Sequence, residues 1–224
     1  MPVSGSPDTS TKAYANRREA GQTLADALRA YAGREDVVVL ALPRGGVPVA
    51  REVAQALAAP LDVFVVRKLG TPGHRELAMG AIASGGVRVL NEEVLRWYGF
   101  SEDAVNRVTA EEQMELERRE LTYREGRPPL QINGKVAILV DDGLATGATM
   151  KAAVRAVRQL SPSKVVVASP VGAPETCHEL GAIVDEVVCV RMPHPFSAVG
   201  LWYRDFDQTS DEEVRELLRS SMNP

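Results

Sequence analysis

The sequence predicts one α/β domain: a central, mostly parallel sheet flanked by helices, with a small hood built from the termini at about 13–20 and 191–224. Three observations point to it. Two all-apolar runs rich in β-branched residues, VVVLAL at 37–42 and VAILV at 136–140, have the character of strands covered on both faces. Each runs into a short glycine-bearing loop and then into a stretch of helical period. Similar runs alternate with helical stretches along most of the chain, and this β-loop-α-β order builds parallel sheets.

In chain order, MPVSGSPDTSTK (1–12) is polar and rich in Ser, Thr and Pro, which predicts a disordered tail ahead of a single domain over 13–224. RREAGQTLADALRAY (17–31) sets Leu24, Ala27, Leu28 and Tyr31 on one side of a helix. The strand at 37–42 is followed by PRGG, helical period returns over 47–58, and LDVFVV (61–66) is a second strand. RKLGTPGHRELAMG (67–80) is basic, punctuated by glycine and fits neither period, so a loop is expected. AIASGGVRVLN (81–91) reads as a hairpin turning at Gly85 and Gly86. A charged helix covers 101–124, with Thr109 and Glu112 spaced as a capping box inside it. Pro128 and Pro129 stop it, and Trp97, Tyr98 and Phe100 read as core beneath it. After VAILV come a helix at about 149–160, a strand at 164–169, a short helix near 175–180, a strand at 184–190 and a last helix near 211–219.

Composition narrows the function. With 224 residues, 45% of them hydrophobic and 25% charged, the chain can bury a full core. Its net charge of −4 lacks the dense basic surface of a non-specific nucleic-acid binder, so no nucleic-acid partner is expected. No apolar run approaches the about 20 residues that span a bilayer, and the N-terminus lacks the apolar stretch of a secretory signal. No membrane partner and a cytoplasmic location follow as expectations. Cys177 and Cys189 have neither metal-ligand nor redox spacing and read as small apolar residues in a reducing compartment.

The chemistry concentrates in VAILVDDGLATGATMKAAV (136–154). Ligands of open parallel sheets bind at the carboxyl ends of the strands, where Asp141 and Asp142 fall. The next residues, 143–149, offer backbone N–H groups with little side chain in the way, two threonine hydroxyls and the start of a helix, a combination suited to phosphate. Carboxylates repel phosphate but accept hydrogen bonds from sugar hydroxyls. One ligand with both parts satisfies the whole stretch: a ribose 5-phosphate.

VAILVDDGLATGAT resembles the phosphoribosyl-diphosphate (PRPP) motif of type I phosphoribosyltransferases, and the resemblance extends over roughly 14–214. It departs from the family at Gly143, where many members carry an aliphatic residue; a looser turn is expected. The resemblance implies a type I phosphoribosyltransferase-like fold. Asp141 and Asp142 would then hold the ribose 2- and 3-hydroxyls, and Ala145, Thr146, Gly147, Ala148 and Thr149 the 5-phosphate. It further implies Mg2+ carried on diphosphate and ribose oxygens, touched by Asp141 directly or through water.

Other segments should converge on the same place. PRGG follows a parallel strand; Arg44 offers a fork of donors, and Gly45 and Gly46 let the backbone come close, as in the family's diphosphate loop. Arg67 and Lys68 resemble the family's basic strand-end pair. They precede His74 and Arg75 in a segment that, in the family, closes over PRPP and excludes water. The expected catalytic set is Asp141, Asp142, Arg44, Arg67 and Lys68, with Gly45, Gly46, His74, Arg75 and residues 145–149 binding PRPP.

The acceptor is less defined. Ala145 stands where hypoxanthine-guanine type members place an aspartate, and HRELAMGAIASGG with HPFSAVGLWYRDFDQTSDEEV resembles family members of unassigned acceptor. Phe196, Trp202 and Tyr203 either stack on a flat base or pack the last helix; His194, between two prolines, meets a ligand or makes a turn. The charged face of 111–125 is solvated or a homodimer interface. The expected function is transfer of a 5-phosphoribosyl group from PRPP to a nitrogenous acceptor such as a nucleobase, with release of diphosphate. The competing expectation is a non-catalytic module of the same fold that senses PRPP or nucleotides; the negative charge and single-domain length weigh against it.

Overall fold

The computed structural model describes residues 3–6, 12–71 and 74–220, with backbone alone at 3–6 and 74–76. Six parallel strands form the central sheet, in the order β1 (Val3–Ser6), β9 (Glu186–Arg191), β8 (Lys164–Val171), β7 (Val136–Val140), β2 (Val37–Ala41), β3 (Leu61–Val63). All five residues of β2 and all five of β7 are buried, because helices cover both faces. The alternation of side chains sorts the core into two layers. Val37, Val39, Ala41, Ile138 and Val140 face α1 (Arg17–Ala27), α2 (Gly46–Leu57), α4 (Glu102–Arg124) and α7 (Asp211–Ser220). Val38, Leu40, Ala137 and Leu139 face α5 (Ala148–Gln159) and α6 (Pro174–Gly181).

The strand order positions the site. From β2 the chain moves outward to β3 and later returns to β7 on the other side of β2. The loops after β2 and β7 therefore lead to helices on opposite faces, and the strand ends between them form a topological switch point. Ala41 pairs with Val140 at that end, and Leu42 N–H donates to the Val140 carbonyl at 2.9 Å.

Several expectations need correction. Residues 67–80 are not a loop: β4 (Val66–Thr71), β5 (His74–Ala83) and β6 (Val87–Leu90) form a separate antiparallel sheet. Register shifts on both sides of Gly70 break the alternation that marks a strand. Gly80 is glycine because a Cβ there would lie 2.4 Å from the Val89 carbonyl oxygen of β6. The hairpin at Gly85 and Gly86 stands, both residues having positive φ. No capping box opens at Thr109. It lies inside α4, where its hydroxyl donates to the Val105 carbonyl, and the helix is capped by Ser101, which accepts from the Ala104 N–H. Trp97 and Tyr98 are not core. They lie on a surface helix, α3 (Glu92–Tyr98), 88% and 57% exposed, while Phe100 does pack against the core. Within the expected disordered tail, Val3–Ser6 pairs with β9 as an edge strand.

The terminal segments meet. Tyr14 N–H donates to the Trp202 carbonyl and Arg204 N–H to the Tyr14 carbonyl, both at 2.8 Å, and Tyr14 and Tyr203 pack with Ala20 and Val171. The last helix, α7, lies against α2 and α4 instead. Cys177 and Cys189 are free, buried thiols. Among the described residues no helix is long and apolar enough to cross a membrane.

Candidate active site

Asp141 and Asp142 leave the carboxyl end of β7 and meet the loop that follows β2. The fit is close. A Cβ on Gly45 would stand 2.1 Å from Asp142 Oδ2, and one on Gly46 would stand 2.7 Å from the Val140 carbonyl oxygen and 3.0 Å from Asp141 Cα. Two successive glycines are therefore a steric condition for bringing the second strand-end loop against the acids. Arg44, preceding them, is linked to Pro43 by a cis peptide bond, and its Nη1 lies 3.7 Å from Asp211 Oδ1 in the first turn of α7. Tyr123 also donates to Asp211 Oδ1, at 2.8 Å.

Each acid is half committed. Asp142 N–H donates to Asp141 Oδ1 at 2.9 Å, and Arg17 Nε donates to Asp142 Oδ2 at 2.8 Å. Among the described residues no further N–H or hydroxyl donor reaches either carboxyl, and the two side chains come within hydrogen-bond reach of one another. Two neighbouring carboxyl groups thus keep acceptor capacity that no protein donor fills, which is what two vicinal hydroxyls need. Burial, and then the charge of Asp142, push the Asp141 carboxyl well above its ordinary range, while Arg17 pulls it back down.

The loop after the acids is pinned at its edges and open in its middle. Leu144 N–H donates to the Val171 carbonyl at 2.9 Å and Ala173 N–H to the Leu144 carbonyl at 2.8 Å. Thr176 Oγ1 donates to the Ala145 carbonyl at 2.5 Å. Gly147 turns the chain into α5 at φ 66°, and a Cβ there would lie 2.5 Å from Thr176 Cγ2. The N–H groups of Ala145, Thr146 and Gly147 have no partner among the described residues, and Ala145, Thr146, Ala148 and Thr149 are exposed. Unpaired amides at a helix start, bare of bulky side chains, are suited to a phosphate group.

The two basic residues of β4 diverge, as neighbours on a strand must. Lys68 lines a cavity of about 240 Å³ together with Ala78, Leu90, Ala148, Thr149 and Arg155. Arg67 instead reaches α4, where its Nε lies 2.7 Å from Glu112 Oε2. The side chains of His74 and Arg75 lie outside the described residues.

Two contacts to Asp142 were not legible along the sequence, that of Arg17 and that of Tyr203, which was expected in another role. Arg17 starts α1, 125 residues before the acid it pairs with. Tyr203 is buried with its ring between those of Tyr14 and Phe206 and its hydroxyl donating to the Asp142 carbonyl at 2.5 Å. Its ring packs with Tyr14, Ala20, Val171 and Phe206 and not beneath the last helix, which lies against α2 and α4. His194 is exposed, at the cis bond before Pro195 and 3.7 Å from Glu175. For Arg17 only the run of charge after Asn16 was visible, with nothing local to say where it points.

Comparison with known proteins places the chain in a family. The family model described as phosphoribosyl transferase domain matches residues 10–203. A protein of Mycobacterium tuberculosis (strain CDC 1551 / Oshkosh), named "Putative phosphoribosyl transferase MT0597", is 49% identical over 207 residues. The match takes in 92% of this chain and 46% of that protein, so the chain spans about half the length of the curated relatives it matches. The crystal structure of TT1426 from Thermus thermophilus is 45% identical and superposes with a TM-score of 0.84, over 93% of this chain and 98% of that one. The chain belongs to the phosphoribosyl transferase domain family and has the α/β fold of its type I members.

Proposed function

We propose that the protein transfers a 5-phosphoribosyl group from PRPP to a nitrogenous acceptor, a nucleobase or related compound, with release of diphosphate. The observation that carries this is the pairing of two neighbouring carboxyl groups, on Asp141 and Asp142, whose acceptor capacity no protein donor fills, with the N–H groups of Ala145, Thr146 and Gly147, unpaired among the described residues, one loop further on. A ribose 5-phosphate has donors and an anion in that relation.

In this reading Asp141 and Asp142 hold the ribose 2- and 3-hydroxyls, and residues 145–149 hold the 5-phosphate. As the bond to diphosphate stretches, positive charge builds on the ribose ring and negative charge on the leaving group. The carboxylates stabilise the first. Arg44, the N–H of Gly45 and Lys68 stabilise the second. The chain's contribution is position and electrostatics, with no covalent nucleophile required. Mg2+ fits this donor set, because it binds through one or two carboxylates plus substrate oxygens, and it would neutralise part of the diphosphate charge.

The test is diphosphate release from PRPP and Mg2+ with a panel of nucleobases. The reading expects release with at least one base and none above background from the Asp141→Asn/Asp142→Asn variant. Wild-type protein that releases diphosphate with no base sinks the transferase; if it still binds PRPP tightly, the sensing module takes its place.

A further inference from the structure

Arg17 has more partners than a surface arginine needs. Its Nε donates to Asp142 Oδ2 at 2.8 Å, its Nη1 donates to the Asp207 carbonyl at 2.7 Å, and its guanidinium lies 4.0 Å from the centre of the Phe206 ring. The side chain is only 12% exposed. A flat fork with three fixed engagements holds its geometry in a way a lysine cannot. Gly45 approaches the same oxygen, so that Asp142 Oδ2 touches both the glycine loop and the guanidinium. Tyr203 grips the backbone of the same residue through its carbonyl.

We propose that Arg17 is a positioning residue of the transfer site: it commits one oxygen of Asp142, leaves the other as the acceptor for a ribose hydroxyl, and ties that acid to the hood segment that carries Phe206 and Asp207. This rests on the reading of the site as a PRPP site. The consequence is a mechanical link between the ribose grip and the hood. Displacement of Phe206 or Asp207 is transmitted to Asp142 through one rigid side chain.

The experiment is calorimetric titration of PRPP with Mg2+ onto wild type, Arg17→Ala, Arg17→Lys, Asp142→Ala and the Arg17→Ala/Asp142→Ala double variant, with melting curves for each. Arg17→Ala should bind on the order of 10-fold or more weakly. Arg17→Lys retains a charge but not the fork, so its affinity should recover only in part. Once Asp142 is alanine, removing Arg17 should cost little further affinity, whereas a simple loss of packing would cost the same in both backgrounds. Should Arg17→Ala fail to fold, Phe206→Leu, which removes the ring under the guanidinium and leaves both acids, should lower affinity by about 3-fold. Wild type that binds PRPP beside an Arg17→Ala that binds equally, or an Arg17→Ala loss undiminished in the Asp142→Ala background, overturns the inference and leaves the transferase reading standing; so does an unchanged Phe206→Leu. Wild type that binds no PRPP removes the reading and the inference together.

Discussion

Val199 occupies the space that a side chain on residue 143 would need: a Cβ built on Gly143 stands 2.3 Å from Val199 Cγ1 and 2.6 Å from Cγ2. Many members of the family carry an aliphatic residue at this position of the motif, and here the hood fills that volume instead. The glycine is therefore a packing partner of the 3-10 turn Val199–Trp202.

Gly143→Ala should accordingly push the hood off the acids. Overpacking of this kind costs about 1–3 kcal/mol, which in a domain of this size lowers the melting temperature by roughly 2–10 °C. Val199→Ala removes both clashing methyl groups, so the double variant should recover most of the loss. The coupling is read from a double-mutant cycle of melting temperatures. Additive losses would show that the two residues do not share the space.

Gly45→Ala should act on ligand binding and leave the fold intact. The new methyl meets the end of a side chain, Asp142 Oδ2 at 2.1 Å, which can rotate aside, and meets no backbone within 4 Å among its three nearest atoms. Displacing a substrate-gripping group by about 1 Å costs on the order of 100-fold. PRPP affinity of Gly45→Ala should fall by that order with an unchanged melting curve, and the same substitution in an Asp142→Ala background should cost little more. A full additional loss in that background would rule out Asp142 as the route.

What could be read along the chain was whatever is local. The pair at Asp141 and Asp142, the bare loop after them and PRGG each lie within one strand-loop-helix segment, so residue type and order were enough to mark them. The parallel strands were equally plain, because burial on both faces leaves unbroken apolar runs. Contacts that join distant segments were not legible. Arg17 reaches Asp142 across 125 residues, and Tyr203 reaches it across 61. The small antiparallel sheet was hidden for another reason. Gly70 sits at a register irregularity and Gly80 at a close backbone approach, and both look like loop residues when the partner strand is unseen. Trp97 misled because aromatic residues usually mark a core, and here one stands on an exposed helix face.

Asp141→Asn should make the protein more stable and unable to grip its ligand. The carboxyl is raised well above its ordinary range, first by burial and then by Asp142. A raised acid binds its proton more tightly in the folded chain than in the unfolded one, so folding loses stability as pH climbs from the ordinary carboxylate value toward the folded one. The asparagine cannot ionise, and its amide oxygen can still accept the Asp142 N–H. Melting temperature should therefore exceed that of wild type by a few degrees at pH 7 to 8, and the gap should close as pH falls below about 3, where wild type is protonated in both states. A gap that persists at low pH would assign the gain to packing.

Lys68 and Arg67 should separate into a ligand-facing and a structural residue. Adjacent positions of β4 face opposite ways: Lys68 lines the cavity shared with Ala148 and Thr149, whereas Arg67 is held by Glu112 of α4, with both partners 28% exposed. Lys68→Met should weaken PRPP binding or diphosphate release by at least about 10-fold, the scale of a lost charge contact to phosphate of about 1.4 kcal/mol. Arg67→Met should leave binding within about 2-fold and lower stability by about 1 kcal/mol or less, as half-exposed ion pairs do, and Glu112→Gln should reproduce that loss without a ligand phenotype. If closure over PRPP instead swings β4 so that Arg67 leaves Glu112 for the diphosphate, the order reverses: Arg67→Met abolishes turnover, and Glu112→Gln, by releasing the arginine, tightens binding. Titrating PRPP onto the three variants distinguishes a fixed strand from one that turns over its ligand.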